Sequence, residues 1–156
     1  MATVYAMVLT IHSLVRWVVV IAGIAAVIMA YAGWFGNRRW TSSNVRVNML
    51  FTTFLDLNIL LGFFLYFILS PLTRGALQNM GDAMKDSNVR FFTVEHLLIM
   101  LVAVVVAHIG SSRAKKAADD KSKFKQAAIF FTIAMILIFL GIPWPFLASG
   151  AGRGLF

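Results

Sequence analysis

Polar residues in this chain come in clumps, and between the clumps run apolar stretches of membrane length. Four stretches stand out, at about Val4 to Trp34, Val47 to Leu69, Phe91 to Ser111 and Gln126 to Leu147. A bilayer's hydrocarbon core takes about 20 apolar helical residues to cross. Each stretch is therefore an expected transmembrane helix, the first overlong and so tilted or projecting. The connections between them are short, which favours antiparallel neighbours. The pattern predicts an all-α membrane protein, a single antiparallel bundle of four transmembrane helices spanning residues 1–156. The N-terminus, "MATVYAMVLTIHSLVRW", lacks a basic start and an obvious small-residue cleavage site. It reads as a retained first span rather than a signal peptide.

Composition agrees with that pattern. The chain is 60% hydrophobic and 13% charged, against roughly 25% charged for a soluble domain. Its net charge of +8 does not indicate nucleic acid, because the basic residues sit in short loops beside apolar segments, without a solvated basic face carrying interleaved aromatics. They act instead as topology signals. The first loop holds Arg38, Arg39 and Arg46, and the third holds six Lys or Arg, so these two carry nine positive charges. The second loop and the tail carry four. Short loops rich in Lys and Arg stay in the cytoplasm. The expected setting is a bacterial inner membrane with both termini in the periplasm. There is no cysteine, which excludes disulfides, thiolate-bound zinc and iron–sulfur clusters.

The second loop has a pattern of its own. Leu72, Ala76, Met80 and Met84 follow at four-residue steps, the stripe of a short amphipathic helix on the membrane surface, though Gly75 and Gly81 weaken it. Asp86 or Ser87 is a candidate cap for the third span. The "PWP" of residues 143–145 should end or distort the fourth span, with Trp144 as an interfacial anchor.

Polar groups inside the spans carry the candidate chemistry. His12 and Arg16 are four residues apart and share a helix face. His96 lies near the outer end of the third span, five residues past Phe91, and that span runs parallel to the first in an up-and-down bundle. At about 1.5 Å per residue, both histidines lie between several and about 12 Å inside the same membrane boundary. From His12 the face continues through Gly23, Ala26, Ala30 and Gly33, and from His96 through Met100, Ala103 and Ala107. Small residues at such spacing allow close helix approach in lipid, so this face points into the bundle. Two inward imidazoles at one depth on parallel helices meet the geometric condition for bis-histidine ligation of haem iron. Phe63, Phe64, Phe92 and Trp17 are expected to wall the porphyrin, and Arg90 and Arg74 to meet its propionates. The alternative reading of the pair is two hydrogen-bonded or interfacial histidines.

Arg16, Asp56, Asn58 and Glu95 are a second expected group. An unpaired charge such as Asp56 in mid-span is costly. Arg16 is expected to reach Asp56 or Glu95, either as a polar network that fixes helix register or as a proton or quinone site. His108 has no histidine partner at its depth and reads as an interfacial anchor. No phosphate loop, nucleophile motif or H-E-x-x-H zinc motif is present, and Asp119 with Asp120 is too little for a metal site.

The early "HSLVRW", the "MKDSNVRFFTVEH" run, the basic "SRAKKAADDKSKFK" loop and the "IPWPF" ending together resemble small bacterial four-helix membrane proteins loosely labelled cytochrome-b-like. The resemblance covers nearly the whole chain. It implies one haem b ligated by His12 and His96 and a role in electron transfer with quinone or a redox partner. This chain departs from the common b-type pattern of several histidines and two haems. Two other readings stand beside it: a cofactor-free accessory or assembly subunit of a larger membrane complex, and a small transporter or proton channel. In each the lipid bilayer is the surrounding partner. An electron carrier or accessory subunit fits better than an enzyme with bond-making chemistry of its own.

Overall fold

The computed structural model describes residues 2–146. Leu147, the expected end of the fourth span, and Arg153 of the tail lie outside the described residues. The order of elements is α1 (Ala2–Phe35), α2 (Ser42–Phe64), α3 (Pro71–Gln78), α4 (Met80–Ala83), α5 (Ser87–Arg90), α6 (His96–Lys116) and α7 (Asp120–Gly141). A π turn over Leu65–Leu69 extends α2, and another over Phe91–Glu95 joins α5 to α6. The described residues contain no strand. Four continuous helical stretches, Ala2–Phe35, Ser42–Leu69, Ser87–Lys116 and Asp120–Gly141, are long and apolar enough to cross a membrane. The surface they present is apolar, with Ile21, Leu60, Val105 and Leu140 each more than half exposed. This is the outer surface of a protein whose solvent is lipid.

The helical stretches overrun the expected spans where the chain turns polar, and local caps explain their starts. The Asn44 side-chain oxygen accepts from both the backbone N–H and the hydroxyl of Thr41 (3.0 and 2.9 Å). Asp86 accepts from the N–H groups of Asn88 and Val89, both at 2.9 Å, so it is Asp86 that caps the third stretch. Asp119 accepts from the Ser122 N–H and hydroxyl at 2.9 and 2.7 Å. Each supplies an acceptor to N–H groups that a helix start leaves unpaired.

The Asp119 cap is pH-sensitive. Its carboxyl is held below the ordinary carboxylate value, chiefly by the Ser122 side-chain hydrogen bond and then by the Ser122 backbone. A carboxylate with a depressed folded-state pKa adds stability above its unfolded pKa and loses it as pH falls through the folded value. The first turn of α7 should therefore fray on acidification below the normal carboxylate range. Amide exchange at Ser122 and Lys123 should speed up there in the wild type. In Asp119→Asn, which caps without ionising, that acid-dependent step should be absent.

The four long helices form a ring in which α1 packs on α2 and α7, and α6 packs on α7 and α2. Thus α1 and α6 stand diagonally opposite. The stripe of small residues does face inward: Gly23, Ala26, Ala30 and Gly33 of α1 and Ala103 and Ala107 of α6 are all buried. The mid-bundle core is Phe51 of α2 edge-on to Phe131 of α7, with ring centroids 5.2 Å apart and no exposure. A β-carbon at Gly23 would run into the Met135 sulfur and come within 2.8 Å of the Phe51 ring. Only glycine lets α1 close on that pair.

The second connection departs from a single amphipathic helix. It breaks at Asn79, whose backbone leaves the helical region and whose side chain caps α4 by accepting from the Asp82 N–H. The stripe splits with it. Ala76 is buried, while Met80 and Met84 are exposed. The half that stays with the bundle, α3, lies across the end where α1 begins.

Candidate functional site

A cavity of about 370 Å³ opens between α1, α2 and α6 at the end covered by α3. This is within the roughly 300–1,000 Å³ of small-molecule sites. His12, Ser13 and Arg16 line it from α1; Leu55, Asn58, Ile59 and Gly62 from α2; and His96, Met100 and Val104 from α6. Leu72 and Thr73 of α3 lie over it. The α2 positions follow at three- and four-residue steps, the stripe of one helix face. Both histidines expected to share a depth therefore border one cavity, from diagonally opposed helices.

Each imidazole is propped by the backbone of the neighbouring helix. His12 Nδ1–H donates to the Asn58 carbonyl of α2 at 3.1 Å. His96 Nδ1–H donates to the Gly141 carbonyl of α7 at 2.7 Å. A carbonyl only accepts, so Nδ1 carries the proton on both neutral rings, which leaves the Nε2 lone pairs for a ligand. All four long helices take part, two carrying histidines and two holding them.

Those carbonyls are available for reasons written in the sequence. In a helix the carbonyl of residue 141 would accept from the N–H of residue 145, which is Pro145 and has none. Ile142, which precedes Pro143, is extended, as residues before proline tend to be, and α7 ends at Gly141. The freed carbonyl goes to His96. Pro143 likewise frees the Phe139 carbonyl, which accepts from Trp144 Nε1 at 2.9 Å. "PWP" thus ends the fourth span, as expected, and also supplies the support of a histidine. On α2, a β-carbon at Gly62 would lie 3.3 Å from His12 Cε1. Glycine leaves the Asn58 carbonyl open to the ring.

The π turns shape the cavity's far end. Leu65 and Tyr66 of the first and Phe92 of the second line it. Tyr66 hydroxyl donates to the Thr93 carbonyl at 2.8 Å, joining the two turns. The Thr73 hydroxyl donates to the Tyr66 carbonyl at 2.7 Å, tying α3 down over both. A π turn leaves the regular ladder locally, and such turns recur at functional sites. Tyr66 did not stand out in the sequence.

The expected polar network is not formed. Arg16 faces the cavity with the histidines and lies within electrostatic reach of both. Asp56 does not join it. Asp56 and Asn58 are two positions apart, about 200° around a helix, so with Asn58 turned to the cavity Asp56 is turned away. Its carboxylate meets His108 Nε2 of α6 at 2.7 Å, so His108 is a pairing partner in a span and not an isolated anchor. Glu95 binds Arg90 Nε at 2.8 Å. Arg90, which also donates to the Met84 carbonyl, is held on the surface and is not among the cavity residues, nor is Arg74. Of the expected aromatic walls only Phe92 borders the cavity; Trp17 packs against Trp144 with centroids 6.3 Å apart. The Asn58 amide oxygen is buried with no hydrogen-bond partner among the described residues. No cluster of three or more His, Asp or Glu suited to a bare metal ion occurs among the described residues.

No family model, no curated protein and no solved structure matches this chain.

Proposed function

We propose that this protein is a cytochrome-b-like electron carrier that holds one haem b in the cavity through His12 and His96, exchanging electrons with a quinone or a redox partner in the membrane. The observation that carries the reading is the matched support of the two imidazoles. Metal-bound histidines regularly donate the other ring N–H to a carbonyl or carboxylate, which fixes the tautomer and orients the ring. Here both histidines of one cavity do so before any ligand is considered. The residues fit a haem in a second respect, since the lining is mostly apolar and suits a porphyrin.

When bound, haem supplies one-electron chemistry, and the protein's share is ligation, orientation and exclusion of water. His12 and His96 would hold the haem iron. Arg16 would offer its guanidinium to an acidic or carbonyl group of the occupant, such as a propionate or a quinone oxygen, a role the sequence pattern gave to Arg90. The orphan Asn58 oxygen would accept from a protonated polar group of the occupant. Leu72 and Thr73, held by the Tyr66 hydrogen bonds, would close the mouth. With the basic loops in the cytoplasm of a bacterium, the cavity lies in the periplasmic half of the inner membrane and both termini face the periplasm. One haem near one face does not bridge the bilayer, so the fitting role is exchange with a lipid-soluble carrier or a neighbouring complex.

Purified protein expressed with adequate haem should show a Soret band that shifts on reduction, at close to one haem per chain. A colourless preparation under those conditions, above all one carrying stoichiometric partner proteins, would sink this reading and favour the accessory-subunit one.

A further inference from the structure

Away from the cavity, the bundle holds a pair of ionisable groups in an unusual place. Asp56 of α2 and His108 of α6 meet at 2.7 Å, and their side chains are 43% and 49% exposed. What surrounds them on that surface is apolar. Leu57, Leu60, Val105 and Ile109 are all exposed. Charged side chains in membrane spans normally turn to the bundle interior or a water-filled cavity. This pair turns to neither, yet it is closely hydrogen-bonded across two helices.

Its charge states follow from that setting. With Asp56 ionised and His108 neutral, the pair presents one net negative charge to a medium of low dielectric, which is unfavourable. One added proton brings the net charge to zero, whether it resides on Asp56 or on His108, and both forms keep the same hydrogen bond. A second proton would create a net positive charge and leave the imidazolium facing a neutral carboxyl, a weaker hydrogen bond than to a carboxylate. The pair therefore favours one-proton occupancy, with that proton held in the hydrogen bond the two groups share.

A groove also starts at the pair's histidine. Ser112 and Arg113 lie four and five residues farther along α6 toward its basic end. They line a shallow groove with His108 and Val104. In the other direction Val104 is also a wall of the histidine cavity. His96, Met100, Val104 and His108 follow at four-residue steps, one face of α6 leading from cavity to pair. Other ionisable groups on the packed elements lie at a distance along the chain. Arg46 is ten residues away on α2 and Arg113 five on α6. Lys115 and Lys116 close α6; on α1 the ionisable groups are Tyr5, His12, Arg16 and Tyr31, and on α7 Asp120, Lys121, Lys123 and Lys125, near that helix's start. Among the described residues none of these hydrogen-bonds to the pair.

We propose that Asp56 and His108 form a single-proton binding site within the membrane, loaded by water from the basic end of the bundle and separated from the histidine cavity by Val104. The proton comes from bulk water at that end, and the site passes from net charge −1 to zero on binding it. This site does not depend on what the histidine cavity holds.

The test is a pH titration of wild-type protein in lipid vesicles, followed by infrared absorption of the aspartate carboxyl and by nitrogen resonances of labelled histidine. The expected result is one transition in which the Asp56 and His108 signals move together, and which answers first to pH on the basic side. In Asp56→Asn the His108 transition should shift by about one pH unit or more, and in His108→Gln the Asp56 signal should shift likewise. Two separate wild-type transitions would overturn the proposal. So would a His108 transition that is unmoved in Asp56→Asn, or one that answers first from the opposite side. The wild-type titration decides the matter even if either variant fails to fold.

Discussion

Purified His96→Ala protein is expected to lose the Soret absorption of the wild type, and His12→Ala to lose it as well. Each change deletes one proposed iron ligand and leaves the other ring propped by its carbonyl. Disturbing only the supporting shell of a metal ligand costs about 10–100-fold in affinity. Deleting the ligand should cost at least about tenfold in haem retained through purification, with helical content unchanged by circular dichroism. Added imidazole, which refills the vacated position, should restore part of the spectrum. The two variants should differ in stability. Removing His96 strands the Gly141 carbonyl, since Pro145 has no N–H to offer it, and an unmet buried acceptor costs about 1–3 kcal/mol. Removing His12 leaves the Asn58 carbonyl with its partner in the α2 ladder, the Gly62 N–H. His96→Ala should therefore be the less stable of the two. If both variants kept full haem, the histidines would be structural props alone. If neither they nor the wild type bound haem, the stability difference would remain, as expected of an accessory subunit.

The span count and the inward stripe were legible because lipid imposes them: length, hydropathy and the step of small residues follow from bilayer thickness and close packing. Residue counting also brought His12 and His96 to one level, and the structure puts both on one cavity. The partners of the polar groups were not legible, for reasons of rotation and register. Asp56 and Asn58 are neighbours in sequence but face different helices. Which of them meets α1 depends on the order of helices around the ring, and hydropathy does not encode that order. Arg90 and Glu95 are five residues apart, a spacing that brings no side chains together on an α-helix. The π turn over Phe91–Glu95 is where they meet. The acceptors that hold the histidines are backbone carbonyls, invisible to any search for side-chain pairs. They still leave a trace: a proline four residues after Gly141 and a glycine four residues after Asn58 each mark a carbonyl that something other than the helix can use.

Gly62 gives the sharpest separation between holding the fold and holding a ligand. Its missing side chain is what lets the His12 ring lie over α2, with Cε1 3.3 Å from where a β-carbon would be. In Gly62→Ala the ring must give by a few tenths of an ångström, and because it borders the cavity it has room to do so. Haem retention should fall only slightly. The helix should gain up to about 1 kcal/mol from the better propensity of alanine. In Gly62→Leu the added γ- and δ-carbons compete with the ring for the same space, so the imidazole must leave the Asn58 carbonyl and its ligating position. Retained haem should drop by about tenfold or more, comparable to a supporting-shell loss, while α2 has no reason to unfold, since leucine is also a better helix former than glycine. Thermal unfolding and the visible spectrum of the same two preparations check this together. Stability should hold or rise along glycine, alanine and leucine as the Soret band falls. A parallel fall of both would make Gly62 a packing residue only, and an unchanged band in Gly62→Leu would remove His12 from the site.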